Sequence, residues 1–264
     1  MKVAALIPAR FASSRYPGKP LVELKGAGGQ RKPLIQRTYE AARRVAGLAS
    51  IHVVTDDSRI ADAVQGFGAP VLMTSATCRN GTERCAEALE QLDAPDLVVN
   101  VQGDALLTPG HFVEALIERM RTSDADVATP AMRLTSAEVC ALQQEEAAGR
   151  IGGTSVVTDN SGQALYFSKR LIPHLPTGAL DGAMSPVRLH VGVYAYRPKA
   201  LAAYAAIPPA ELEILEGLEQ LRFLAAGIPV AVVDVEPPPF ALRELNNPED
   251  VAPIEEALAS AGLE

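Results

Sequence analysis

The sequence predicts an α/β fold: a mostly parallel sheet with helices on both faces. Short β-rich runs recur along the first half: VAALIP (3–8), IHVVTD (51–56), PVLM (70–73), DLVVNVQGD (96–104) and ADVATPAM (125–132). Stretches with helical spacing separate them, and strand–helix–strand units of this length leave successive strands parallel. Hydrophobic residues make up 48% of the 264, enough for a packed core without disulfide or metal staples.

The elements follow in order. After the strand at 3–8, PLIQRTYEAARRVAG (33–47) places Leu34, Ile35, Tyr39, Ala42 and Val45 three to four apart, a helix. SRIADAVQGFG (58–68) is a helix closed by glycine. GTERCAEALEQL (81–92) and PGHFVEALIERMR (109–121) are helices either side of the strong strand at 96–104. From about residue 133 the pattern changes. TSAEVCALQQEEAAGR (135–150) reads as a polar helix, and GGTSVVTDNSGQALYFSKR (152–170) as a hairpin turning at NSG. A Pro/Gly loop follows (171–186), then one strand, VRLHVGVYAYR (187–197). Helices at 199–206 and 211–226, a strand at 229–236 and a helix from about 248 complete the chain. Without repeats or a low-complexity linker, residues 1–264 read as one domain, with 150–198 as an inserted or appended segment.

Composition narrows the function. A net charge of −8 argues against general nucleic-acid binding, which needs a basic face. No apolar run reaches the roughly 18 residues of a membrane span, and Arg10 and Arg15 cut short the apolar start, so no signal peptide is expected. Cys78, Cys85 and Cys140 form no CxxC pair and fit a reducing compartment. The expectation is a cytoplasmic protein without membrane or nucleic-acid partners.

Three stretches carry chemistry. Residues 9–20 leave a strand end and hold Arg10, Ser13, Ser14, Arg15 and Lys19, a set suited to phosphate oxygens. Neither GxxxxGK[ST] nor GxGxxG is present, so this is neither a P-loop nor a dinucleotide fingerprint. VNVQGD sets Gln102, Gly103 and Asp104 at the end of another strand, and a carboxylate there can hold the Mg²⁺ that a phosphate carries. In CRNGTERCAE (78–87), Asn80 and Gly81 make a turn, and Thr82 and Glu83 open a helix with free N–H groups. Each alone also reads as ordinary structure: a solvated loop, a turn acid, a helix cap.

Together, in this order, the stretches resemble the family of 3-deoxy-manno-octulosonate cytidylyltransferases, which activate 2-keto-3-deoxy sugar acids. IPARFASSRYPGKPL (7–21), KPLIQRTYEAA (32–42), NGTERCAE (80–87), VNVQGD (99–104), ALYFSKRLIP (164–173), HVGVYAYR (190–197), LEILEGLEQLR (212–222) and NPEDV (247–251) carry the resemblance. It implies a Rossmann-like nucleotidyltransferase fold with a smaller dimerisation segment, a homodimer, and a need for CTP and Mg²⁺. The implied reaction joins CMP to the anomeric hydroxyl of the sugar acid and releases pyrophosphate, a step towards lipopolysaccharide. It makes Arg10, Ser13, Arg15 and Lys19 a CTP-phosphate loop, with Arg15, Lys19 and Asp104 as catalytic groups. Asn80, Gly81, Thr82 and Glu83 fall on the base-and-ribose stretch, Gln102 near base and sugar, and Asp104 and Asn246 at the metal. Tyr166, Lys169, His190, Tyr194, Glu213 and Gln220 line the acceptor side, and Lys169, Arg170 and Arg188 are candidates for the acceptor's carboxylate.

The chain departs from the family pattern near metal and acceptor. QGDALL replaces QGDEP, LNNPEDV puts Asn246 where an aspartate is usual, Ser155 replaces a lysine, Lys169 an arginine, and GAGGQR (26–31) is extra length. These departures point to a divergent member acting on Kdo or a related acceptor, with Glu244, Asp234 or the substrate's carboxylate compensating for Asn246. Another acceptor class, such as amino-Kdo, a sugar-1-phosphate or a phosphonate, and a non-catalytic CTP-binding protein are the alternatives.

Overall fold

The structure, a computed structural model, describes residues 1–12 and 15–264. It begins with β1 (Val3–Ala9), whose buried side chains alternate: Val3 and Ile7 enter one apolar cluster, Leu6 the other. After a 3₁₀ turn at Lys19–Leu21, β2 (Glu23–Lys25) and β3 (Arg31–Pro33) form a small hairpin of their own. GAGGQR is its tip. The buried Arg37 of α1 (Leu34–Ala42) ties it down, donating to the carbonyls of Leu24 (2.7 and 3.1 Å) and Gln30 (2.6 Å).

Then come β4 (Ser50–Thr55), α2 (Ser58–Gly66), β5 (Val71–Met73), α3 (Gly81–Ala88), β6 (Leu97–Val101), α4 (Gly110–Thr122), β7 (Val127–Thr135) and α5 (Ser136–Ala147). β8 (Thr154–Thr158) and β9 (Ala164–Ser168) form the expected hairpin. β10 (Met184–His190), β11 (Val193–Tyr196), α6 (Pro198–Ala206), α7 (Glu211–Glu216), α8 (Leu221–Ala225), β12 (Val230–Asp234) and α9 (Val251–Ser260) follow.

The main sheet runs β5-β4-β1-β6-β11-β7-β10-β8-β9, with β12 beside β7. Its first half, β5 to β6, is parallel, as is β12 on β7; β11, β10, β8 and β9 pair antiparallel. Ile35, Ile60 and Leu116 of α1, α2 and α4 cover one face; Cys85, Leu201 and Phe223 of α3, α6 and α8 cover the other.

Two expected elements divide. Residues 187–197 form two strands, β10 beginning earlier, at Met184. The chain breaks at Val191–Gly192, where Val191 N–H donates to Pro130 O (3.1 Å) and Val193 N–H to Val191 O (2.7 Å). β10 stays beside β8 while β11 inserts between β6 and β7. The helix at 211–226 splits because Gly217 (φ 61°) is left-handed and closes α7.

Candidate functional site

The basic loop leaves β1 and returns through a hydrogen bond from Gly18 N–H to Phe11 O (2.9 Å). Gly18 sits at φ +72°, and a Cβ there would lie 3.0 Å from the Phe11 ring, so the closure requires glycine. Lys19 follows at once, and its half-buried ammonium pairs with the Asp104 carboxylate. The Arg15 guanidinium donates to Asn246 Oδ1 (2.9 Å). Arg10 is exposed, and Ser13 and Ser14 lie outside the described residues.

Asp104 reaches this loop because of Gly103. A Cβ at Gly103 would stand 2.6 Å from Pro8 O, so glycine lets the exit of β6 lie against β1. Thr38 Oγ1 fixes that exit by donating to Gly103 O (3.0 Å). The residues after it go inward: Ala105, Leu106 and Leu107 are buried, and the two leucines share a cluster with Leu245. QGDALL thus packs the segment that presents Asn246. Asp250 completes the turn, accepting from the N–H groups of Asn246 (2.9 Å) and Asn247 (2.7 Å).

Glu244 belongs to the same end of the cleft. A Cβ on Gly192 would be 3.9 Å from Glu244 Oε1 and 3.7 Å from Gln102 Cγ. Glu244 is exposed, but the protein crowded around its carboxyl, and then the charge of Asp104, push it up; Lys19, the Asn246 side chain and Arg15 oppose that. Asp234, the other candidate compensator, is taken by Arg188 (2.7 and 3.1 Å).

The N-terminus of α3 forms the next wall. Asn80 caps it, its Oδ1 accepting from Glu83 N–H (2.8 Å), while its Nδ2 donates to the Tyr204 hydroxyl (2.9 Å). Gly81 is there for proximity, since a Cβ would meet Gln102 Nε2 at 3.3 Å and Asn100 Nδ2 at 3.5 Å. Thr82 Oγ1 bonds the Tyr196 hydroxyl (2.9 Å), and its N–H donates to Glu219 Oε2 (3.0 Å). Gln102 Nε2 donates to the other Glu219 oxygen (3.4 Å). Burial raises the Glu219 carboxyl; the Thr82 hydrogen bonds oppose this. Sequence reasoning passed over Glu219, although it stands beside Gln220 in LEQLR; its main partner is a backbone group, which no side-chain pattern announces. Among the described residues, both side-chain polar atoms of Asn100, and Gln220 Nε2, are buried without a partner.

Glu83 and Glu213 face inward. Arg222, fully buried, donates to Glu213 (2.5 and 2.7 Å) and to Glu83 (2.9 Å) and stacks on Tyr204. Burial pushes the Glu83 carboxyl up, but hydrogen bonds from Arg79 and Arg222 outweigh it and hold it low. The structure gathers these two into a buried ion network beneath the cleft.

On the acceptor side, the Tyr194 hydroxyl donates to Gln220 Oε1 (3.1 Å). The Thr129 hydroxyl lies 2.8 Å from both the Val193 carbonyl and His190 Nε2. A carbonyl only accepts, so the hydroxyl donates to it and His190 Nε2 carries the proton that donates to Thr129. Burial lowers the His190 pKa to about 3, leaving a neutral ring against Phe167 and Tyr194. Glu216 pins the end of β9, accepting from Ser168 Oγ (2.8 Å), Lys169 N–H (2.9 Å) and the Tyr166 hydroxyl (3.4 Å). Arg170 is paired with Glu146 and Arg188 with Asp234; the Lys169 ammonium has no carboxylate partner among the described residues. Ser155 is buried, donating to Arg170 O (2.5 Å) and accepting from Ile172 N–H (3.1 Å).

The cleft therefore collects cations, oxygen ligands and a helix N-terminus where β1 and β6 end, and fold and site together define the class: a nucleotidyltransferase. The chain belongs to the cytidylyltransferase family, whose pattern matches residues 4–232. A 3-deoxy-manno-octulosonate cytidylyltransferase of Maricaulis maris is 38% identical over 99% of both chains. An 8-amino-3,8-dideoxy-manno-octulosonate cytidylyltransferase of Shewanella sediminis is 40% identical over 98% of this chain and 99% of its own. Among solved structures, a CMP:2-keto-3-deoxy-manno-octonic acid synthetase complexed with CTP is 35% identical, covers 99% of this chain and 100% of its own, and superposes with a TM-score of 0.84.

Proposed function

We propose that this enzyme transfers CMP from CTP to the anomeric hydroxyl of a 2-keto-3-deoxy sugar acid, Kdo or its 8-amino relative, and releases pyrophosphate. One observation carries the reading: Lys19 and Arg15 meet Asp104 and Asn246 at one end of a cleft whose other end is a hydrogen-bonding wall. The full-length likeness to relatives named for both acceptors supports it.

The residues fit a hard divalent cation. Asp104 and Asn246 present oxygen donors side by side, each now facing a side-chain cation. Oxygen donors of this kind suit Mg²⁺, an ion held largely by water and substrate phosphates. Asp104 and Asn246 would hold Mg²⁺, which would neutralise charge on the triphosphate. Lys19 and Arg15 exchange their protein partners for phosphate oxygens and neutralise charge growing on the departing pyrophosphate. Gln102, Tyr194, Gln220 and Glu219 hold hydroxyl groups of ribose and acceptor. Lys169 receives the acceptor's carboxylate, and His190, uncharged, orients without adding charge. No side chain need form a covalent intermediate; positioning the hydroxyl in line is the main requirement.

We further read the protein as a cytoplasmic homodimer joined through residues 150–198. No described helix is long and apolar enough to cross a membrane. Leu165 on β9 and Leu212, Ile214 and Leu215 on α7 are exposed, which supports a covered face. Incubating the protein with CTP, Mg²⁺ and a panel of keto-sugar acids, with mass detection of the CMP adduct and pyrophosphate, tests the activity. CTP consumption with no CMP adduct for any acid would overturn it.

A further inference from the structure

Phe11 closes the neck of the basic loop. Its carbonyl accepts from Gly18 N–H (2.9 Å), and a Cβ on Gly18 would stand 3.0 Å from the tip of its ring. The cations that the loop presents lie inside that neck or just past it. Arg15 donates to Asn246 from within, and Lys19, the residue after Gly18, pairs with Asp104.

The face of the Phe11 ring has a neighbour of its own. The guanidinium carbon of Arg59 lies 3.3 Å from the ring centroid. Arg59 stands in the first turn of α2, just past the end of β4, the strand paired with β1. Asp57, which caps α2, fixes the guanidinium from the other side. Its Oδ1 accepts from Arg59 N–H (3.0 Å) and Nε (2.9 Å), and its Oδ2 accepts from Nη2 (2.6 Å). The next residue, Ile60, is fully buried and anchors that turn in the core. The guanidinium is therefore a flat plate held by a forked carboxylate against an aromatic face. Asp57 offsets its charge, so Arg59 adds little net attraction for a polyanion. What it adds is the stack. Arg59 keeps 58% of its side chain exposed, so the effect is that of an exposed cation–π pair, about twofold to fivefold in an equilibrium constant.

We propose that Arg59 is a positioning residue for nucleotide binding: stacked on Phe11 and locked by Asp57, it holds the neck of the loop shut, so that Lys19 and Arg15 face the triphosphate together. This rests on the proposed function and assigns to Arg59 the closure of the nucleotide end. Arg59 itself touches no phosphate. It acts on the fraction of molecules whose loop is closed, and an open loop must close before it binds.

A double-mutant cycle read on nucleotide affinity tests this. Mg·CTP is titrated calorimetrically into wild type, Arg59→Leu, Arg59→Lys, Phe11→Leu and the Arg59→Leu/Phe11→Leu double variant. Thermal melting monitors the fold of each. Arg59→Leu should weaken Mg·CTP about threefold to fivefold with a nearly unchanged melting temperature. Phe11→Leu should weaken it at least as much, and the double variant should bind like Phe11→Leu alone, because the same stack is lost only once. Arg59→Lys keeps the charge without the fork or the plane and should recover little. At saturating CTP the KM for the sugar acid should stay at the wild-type value. Wild-type affinity in Arg59→Leu would leave the stack no part in binding and overturn the assignment. So would additive losses in the double variant or full recovery by Arg59→Lys, since either makes Arg59 a charge acting on the phosphates directly. Wild-type protein that binds no Mg·CTP at all would instead overturn the proposed function itself.

Discussion

The cleft contains two sets of cation contacts with opposite characters. At the nucleotide end, Lys19–Asp104 and Arg15–Asn246 are single contacts from a loop, reachable by water. Beneath the acceptor end, Arg222 is sealed, grips Glu213 with two nitrogens, reaches Glu83 with a third contact, and lies flat on Tyr204. The chemistry is the same, but burial decides what it is for. A pair that water still reaches, made by a single contact, can trade partners with a ligand. A buried, fully hydrogen-bonded network cannot be opened cheaply, so it serves as scaffold. The first set is poised for exchange, whereas the second holds α3, α7 and α8 in register.

The largest expected effect tests the scaffold. Arg222→Ala would leave Glu213 buried without its cation and Glu83 with Arg79 alone, and should cost about 3–5 kcal/mol, read as a fall in urea midpoint. A loss below about 1 kcal/mol, the range of surface pairs, would erase the contrast. Next, Lys19→Met should change the urea midpoint little but lower kcat by about 10²–10³, the range for removing one group that stabilises developing charge. If stability fell instead and kcat survived, Lys19 would belong with the scaffold.

His190 sharpens the comparison through pH. Its pKa is near 3 in the folded chain, against about 6.5 unfolded. Between those values the unfolded state binds the proton and the folded state does not, so stability rises with pH through that window. Lowering the pH from 7 to 5 should therefore destabilise the wild type by up to about 2 kcal/mol more than His190→Gln. Equal losses in both proteins would show that His190 is not held neutral by the fold.

Much of the nucleotide end could be read from the sequence because each piece is local. β1 and β6 are buried on both faces and read as apolar runs, and the cations and Asp104 stand just past their ends. What joins them is a contact between residues 19 and 104, visible only once β1 and β6 lie side by side. The acceptor end was less legible. Alternation in VRLHVGVYAYR runs straight through Gly192, where the chain changes neighbours. Helical spacing in LEILEGLEQLR likewise hides the left-handed turn at Gly217, which lets Glu213 and Arg222 meet nine residues apart. Ser155 and the ALL of QGDALL read as departures pointing to an altered metal and acceptor side, whereas they are packing and hydrogen-bonding residues turned inward.

The smallest effect lies on the border between the two sets. Asn80 caps α3 through its oxygen and holds Tyr204, the ring under Arg222, through its nitrogen. Those two roles can be separated. Asn80→Asp keeps an oxygen for Glu83 N–H but has no N–H to offer Tyr204, and it adds a negative charge at a helix N-terminus, where the dipole favours it. Asn80→Ala loses both bonds. The alanine variant should cost about 1–2 kcal/mol and the aspartate variant about half of that or less, measured by urea denaturation. If the two lost equal stability, the cap would be contributing nothing and the Tyr204 bond everything. The start of α3 would then be held by the buried Arg222 network, and the boundary between exchangeable and fixed contacts would move outward to the helix N-terminus.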